Sequence, residues 1–197
     1  MPRHVLVVPD TNVWLDFEGS GLTVKEKKAS PKSVLVWYAS RYGSTAEIAA
    51  AIAGEIRRAG ILVDLAPASR DMDPLDYDAV VLGSPLYMGK WLVEARELVS
   101  RHRAALAERP VAIFSAGYSL RDRLEAHLQS GEDALQAVRI FFDPVDAAFF
   151  PGKVDPDHMT AADRSIITLG GVKPGDFRDW EQVKAWARSL PGKMGLL

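Results

Sequence analysis

The feature that most limits how this chain can fold is a rhythm that begins at Ser33. From there on, short and nearly continuous apolar runs alternate with longer amphipathic stretches. Val34-Leu35-Val36-Trp37-Tyr38, Ile61–Leu65, Asp78–Gly83, Pro110–Ser115 and Val145–Phe150 read as five strands. Thr45 to Ala59 reads as a helix with Ile48, Ala49, Ile52, Ala53 and Ile56 on one face, ended by Gly60. Trp91 to Arg103 is expected to be helical through Leu92, Ala95, Leu98 and Val99. Arg121 to Ile140 reads as mostly helix, broken near Ser130-Gly131, and Asp176 to Leu190 as a closing helix. Strands apolar on both sides need cover on both sides, which predicts a parallel sheet between two helical layers. Right-handed crossovers leave few topologies. The order 2-1-3-4-5 fits and puts a ligand at the switch between the first and third strands. The expected fold is therefore α/β, a doubly wound five-stranded parallel sheet over residues 32–197, preceded by an N-terminal extension and linker over residues 1–31.

Composition narrows the chemistry. A chain of 197 residues has room for one real core. It contains no cysteine, which excludes disulfides, thiolate nucleophiles and Cys-ligated clusters, so any redox chemistry must borrow a cofactor. The net charge of −2 gives no bulk attraction to nucleic acid or membrane, and no nucleic-acid partner is expected. No apolar run approaches the ~18 residues of a membrane span. Pro9-Asp10 interrupts Val5–Val8 and leaves no adequate signal-peptide core, so the expected location is cytoplasmic. The four histidines show no ligand spacing, and no metal site is expected.

Three loops carry the candidate chemistry. In the first, Ala39-Ser40-Arg41-Tyr42-Gly43-Ser44-Thr45 follows a strand and opens a helix. Free backbone N–H groups and the positive end of the helix dipole favour an anion there. Ser40, Ser44 and Thr45 add hydroxyls, and Gly43 permits a tight turn. The loop has neither the glycine spacing of dinucleotide folds nor the Gly-Lys-Ser/Thr of a P-loop, and it suits one terminal monophosphate. The competing reading is an ordinary Ser/Thr-capped helix start.

This loop resembles the phosphate loop of the flavodoxin family, Thr/Ser-x-Thr-Gly-x-Thr. Ser40, Gly43 and Thr45 match, whereas Tyr42 replaces the usual Thr. The hydroxyl so lost is expected to be replaced by Ser44 or by Tyr42 itself. The resemblance implies FMN as cofactor, bound across the loop Ser40–Thr45. The second loop, Ser84-Pro85-Leu86-Tyr87-Met88-Gly89 with Lys90 and Trp91, lies beside the first across the switch point. Tyr87 and Trp91 are candidate walls for the flat isoalloxazine ring, and Gly83 and Gly89 would allow unusual backbone angles near it. Trp91 has the alternative of being the first core residue of its helix. The third loop, Ser115-Ala116-Gly117-Tyr118, would flank the ring on its other side. Arg41, Lys90, Arg121 and Lys153 either ring the mouth or are solvated surface charges. No side chain is assigned as a catalytic acid or base, since the flavin would carry the electrons.

A further resemblance covers roughly residues 33–190. Phe149-Phe150-Pro151-Gly152-Lys153-Val154-Asp155-Pro156, Gly175-Asp176-Phe177-Arg178-Asp179-Trp180-Glu181 and Ala185-Trp186-Ala187 are similar to the flavodoxin-domain subfamily that includes menaquinone-dependent protoporphyrinogen dehydrogenases. Gly175-Asp176-Phe177 reads as a capped helix start, and Trp180 and Trp186 as core anchors. The resemblance implies an FMN-dependent oxidoreductase, quinone-linked or porphyrinogen-oxidising, with a quinone, a porphyrinogen or a protein as redox partner. The alternative is a non-enzymatic flavodoxin-type electron carrier. Such carriers dock by strong acidity around the flavin, which the balance of −2 does not favour.

The extension stands apart. Val5–Asp16 resembles the opening strand and Asp-Thr-Asn turn of PIN-domain nucleases, in which the first Asp, here Asp10, binds metal. Some thirty residues cannot complete that fold, and nuclease activity is not expected. An added edge strand or an arm contacting a second copy in a homodimer fits better. Lys25–Pro31 reads as a solvated linker.

Overall fold

The computed structural model describes residues 5–7, 13–18, 21–26, 31–122 and 124–197. The chain divides into two compact units, Met1–Pro31 and Lys32–Leu197. In the first, β1 (Val5–Val7), β2 (Val13–Glu18) and β3 (Gly21–Glu26) form an antiparallel sheet in that order. These strands pair with one another, so the extension builds its own sheet instead of lending one strand to the main one. Lys25 and Glu26 complete β3 and are not linker. Asp10-Thr11-Asn12, the residues behind the PIN resemblance, lie outside the described residues.

In the second unit the elements are β4 (Ser33–Tyr38), α1 (Ser44–Arg58), β5 (Leu62–Pro67), β6 (Ala79–Tyr87), β7 (Lys90–Trp91), α2 (Val93–Arg101) and α3 (Arg103–Ala107). They continue with β8 (Val111–Gly117), α4 (Glu125–Arg139), β9 (Asp146–Pro151), β10 (Lys153–Val154), α5 (Ala161–Leu169), β11 (Gly175–Asp176) and α6 (Trp180–Lys193). The main sheet runs β5-β4-β6-β8-β9, all parallel, with the short β7 antiparallel to β6. This is the expected 2-1-3-4-5 order. Alternate residues of one strand feed opposite layers. Val34 and Val36 of β4 join Ile48, Ile52 and Ile56 of α1 and Val183 and Leu190 of α6. Leu35 and Trp37 join Leu98, Val99, Leu106, Leu135 and Val138 from α2, α3 and α4. Each layer stabilises the sheet by burying large side chains, at about 1.5–3 kcal/mol per fully buried residue.

Several local expectations are corrected. The helix expected over Trp91–Arg103 is two helices, α2 and α3, meeting at His102. α4 runs unbroken through Ser130-Gly131. Gly131 is there for closeness: a Cβ would lie 2.7 Å from the Phe149 ring. Gly83 likewise keeps an ordinary backbone and makes room for Phe114, whose ring lies 2.1 Å from where a Cβ would sit. Gly175-Asp176 does not start a helix; it pairs with β10 as β11. The cap of α6 is Asp179, whose side chain accepts a hydrogen bond from the Gln182 N–H. Trp186 is an anchor as expected, edge-on to Phe114 and Phe150 and donating to Asp146 at 2.8 Å. α5 had no counterpart in the sequence reading, and it proves to matter most at the site.

Candidate functional site: a cavity at the switch point

The C-terminal ends of β4, β6 and β8 open into one cavity. The loop after β4 forms one end of it. Gly43 is the N-cap of α1, with φ of 86°, a left-handed angle open to glycine at little cost. No side chain caps this helix, which overturns the reading of an ordinary Ser/Thr cap. Among the described residues, the backbone N–H groups of Ser44, Thr45 and Ala46 in its first turn find no partner, at the positive end of the helix dipole. The flanking hydroxyls are set to donate. Ser40 Oγ already accepts from the Gly43 N–H at 3.1 Å, and Ser44 Oγ from the Lys153 N–H at 3.1 Å. Each keeps its own proton for an outside acceptor. Thr45 is 2% exposed and lines the cavity.

From the C-terminal end of β6, Pro85, Leu86 and Tyr87 line the cavity; from the end of β8 and the residue after it, Ala116, Gly117 and Tyr118 do. Tyr118 is held edge-on to Phe177 at 5.4 Å, with Arg121 stacked 3.8 Å over its ring, and its hydroxyl accepts from the Lys173 N–H at 3.0 Å. Gly117 lets Leu86 approach closely, since a Cβ would lie 3.2 Å from the Leu86 Cβ.

Other expected site residues stand behind or beside the cavity. Trp91 is 2% exposed in the core, and its indole donates to Ser115 Oγ at 2.7 Å. Ser115 is thus spent on Trp91, and Ser84, also fully buried, accepts from the Leu92 N–H at 3.1 Å. These residues brace the loops from below. Met88 and Gly89 form the β6–β7 turn with φ of 51° and 74°; Met88 is 77% exposed, and neither lines the cavity. Gly43 shapes the loop without lining the cavity. Of the four candidate cations, Arg41 and Lys153 line it, while Lys90 and Arg121 do not.

The fourth side comes from residues that sequence reasoning did not assign to the site. Gly152 and Val154 flank Lys153, and Met159, Asp163, Ile167 and Val172 come from α5 and its ends. Asp163 is 5% exposed and holds three groups. Its Oδ1 accepts from the Tyr87 hydroxyl at 2.6 Å, and its Oδ2 accepts from the Tyr42 hydroxyl and from Arg41 Nε at 3.0 Å. The Tyr42 hydroxyl, then the Tyr87 hydroxyl and the Arg41 guanidinium, bring the Asp163 carboxyl down to about 2 despite its burial. The same bond pushes the Tyr87 phenol up, because losing its proton would leave two anions in contact. The Tyr42 hydroxyl is thus turned to Asp163. A sequence signal for this wall exists in Thr160-Ala161-Ala162-Asp163, a helix-start pattern in which Thr160 caps the Asp163 N–H at 3.2 Å.

A family model described as a flavodoxin domain matches residues 35–171. The chain belongs to the flavodoxin domain family. Among curated proteins, it is 29% identical over 168 residues to the protoporphyrinogen IX dehydrogenase [quinone] of Escherichia coli strain K12, covering 79% of this chain and 93% of that protein. Among solved structures, it superposes on a flavodoxin from the domain Archaea with a TM-score of 0.53 and 18% identity, covering 83% of this chain and 99% of that one. It superposes on oxidised Flavodoxin 2 from Bacillus cereus with a TM-score of 0.53 and 22% identity, covering 82% and 99%. These two likenesses concern the fold. The flavodoxin domain is a flavin-binding fold, and the donor-rich, aromatic-walled cavity has the chemistry such a ligand requires. Among the described residues, no helix is long and apolar enough to cross a membrane.

Proposed function

We propose that this flavodoxin domain binds FMN and is an oxidoreductase that passes electrons to a quinone, with a porphyrinogen-type compound as donor. The observation that carries the reading is the uncapped start of α1. That helix start follows closely on Ser40 and includes Ser44 and Thr45, and the three hydroxyl residues line one cavity with Tyr87 and Tyr118. A terminal phosphate satisfies those donors, and a flat ring system fits between the aromatic flanks. When bound, FMN supplies the hydride and single-electron chemistry that the side chains lack.

This chain's own residues bind, orient and exclude water. Ser40, Ser44 and Thr45 hold the phosphate end. Tyr87 and Tyr118 fix the ring plane, and Leu86, Met159, Ile167 and Val172 keep the cavity apolar. The choice of donor and acceptor is supported by the relative whose name gives protoporphyrinogen IX and quinone, and which is matched over 93% of its length. The apolar side chains of Leu86, Met159, Ile167 and Val172 offer contact to the ring of a quinone.

The test is anaerobic. The FMN-loaded protein is reduced and then offered a menaquinone analogue; separately, the oxidised protein is offered protoporphyrinogen. The expected result is reoxidation by the quinone and bleaching of the flavin by the porphyrinogen. If neither reacts while a one-electron protein acceptor reoxidises it readily, the protein is a carrier and the proposal fails.

A further inference from the structure

Asp163 is a buried carboxylate without an assigned role, and it sits in the wall of the cavity rather than behind it. Its two oxygens serve different segments. Oδ1 takes the Tyr87 hydroxyl from the end of β6, and Oδ2 takes Tyr42 and Arg41 from the loop after β4. The Arg41 guanidinium also lies 4.8 Å over the Tyr87 ring, so four side chains from three separate segments form one cluster. Asp163 and Ile167 are four residues apart on α5 and both line the cavity, as neighbours on one helical face must. Whatever fixes Asp163 thus fixes the apolar wall as well.

Stability alone does not account for this choice. Burying a carboxylate costs several kcal/mol before its partners offset it, and a well-packed apolar residue is often as stable. The cluster also consumes the Tyr42 hydroxyl, the one loop group that departs from the family pattern and could otherwise have faced the phosphate.

Resting on the FMN reading above, we propose that Asp163 is a positioning residue. It ties α5 to both cofactor loops, holds Tyr87 as the ring's wall, and places a fixed negative charge beside the flavin. That charge opposes electron uptake by the bound ring, so its removal makes reduction easier.

The test uses the FMN-loaded full chain and the variants Asp163→Asn, Tyr42→Phe, Tyr87→Phe and the double variant Asp163→Asn/Tyr87→Phe. The phenylalanine variants keep the rings and remove only the hydroxyls. Far-ultraviolet circular dichroism checks folding; FMN affinity, visible circular dichroism of the flavin and reduction potential are the readouts. Asp163→Asn is expected to weaken FMN binding at least fivefold, alter the flavin dichroism and raise the potential. Tyr87→Phe should reproduce the dichroic change with a smaller change in potential, and the double variant should bind no more weakly than Asp163→Asn alone. Folded Asp163→Asn with wild-type affinity, dichroism and potential overturns the proposal, as do fully additive losses in the double variant. A wild-type chain that binds no FMN fails differently, and takes down the reading on which the proposal rests.

Discussion

The loop Ser40–Thr45 and the α5 segment face the same cavity but are made in different ways. The loop's properties are local: a glycine in the left-handed region, a helix without a side-chain cap and hydroxyls within six residues of one another. The α5 wall depends on distance in sequence, since Asp163 meets Arg41 and Tyr42 from more than 120 residues away. The loop presents the donors that any such helix start presents. α5 adds an apolar wall and a carboxylate between two tyrosines.

The largest effect should come from breaking the loop. Gly43→Val forces a β-branched residue to φ of 86°, although its Cβ would meet no atom within 4 Å. The strain is purely in the backbone, about 1–3 kcal/mol. FMN titration should show a loss of roughly tenfold to a hundredfold, and the strained protein should melt a few degrees lower; unchanged affinity would remove the anion site from this loop.

Next in size is the acid response of the α5 wall. The Asp163 carboxyl is held at about 2, below its ordinary 3.8, so ionisation favours the native state. That stabilisation is present above about pH 4 and is lost as pH falls through about 2. Wild type should exceed Asp163→Asn in stability at pH 5 to 7, and the gap should close between pH 4 and 2. Acid-titrated melts of the two proteins check this, and a gap independent of pH would mean that Asp163 is not ionised where it sits.

These contrasts also explain what the sequence made legible. Repeated apolar runs such as Val34–Tyr38 and Val111–Gly117 report burial on both faces directly, so the strand order could be read from them. The turn before α1 was legible because its geometry depends on six adjacent residues, Gly43 at its centre. Trp91 was misjudged as a ring wall because a tryptophan at a strand end looks alike from either side of the sheet; its buried indole bond to Ser115 settles the matter. α5 escaped notice because it is nine residues long and its Ile166 and Leu169 are exposed, which blurs the amphipathic pattern. Asp163 looked like any surface acid until the fold brought two phenols and a guanidinium to it.

A smaller effect is expected from Thr45→Ala. One hydroxyl bond to a phosphate is removed from a buried position, costing about 1.5 kcal/mol, or roughly tenfold in FMN affinity. Isothermal titration at constant ionic strength measures it. The smallest effect should follow from deleting residues 1–30. Every cavity residue lies in the unit Lys32–Leu197, so FMN affinity should stay within about twofold. Size-exclusion chromatography of the same truncated protein tells whether the extension acts as a dimer arm. A loss of flavin on truncation would mean that the β1–β3 unit contributes to the site.

The most direct test of the central claim compares FMN with riboflavin on the same protein. The two ligands share the ring and differ by the terminal phosphate. If the unpaired N–H groups of Ser44, Thr45 and Ala46 and the hydroxyls beside them form a phosphate site, FMN must bind at least tenfold more tightly, by fluorescence quenching at fixed salt. Equal affinity for the two would contradict the account, because the loop at the start of α1 would then hold no phosphate.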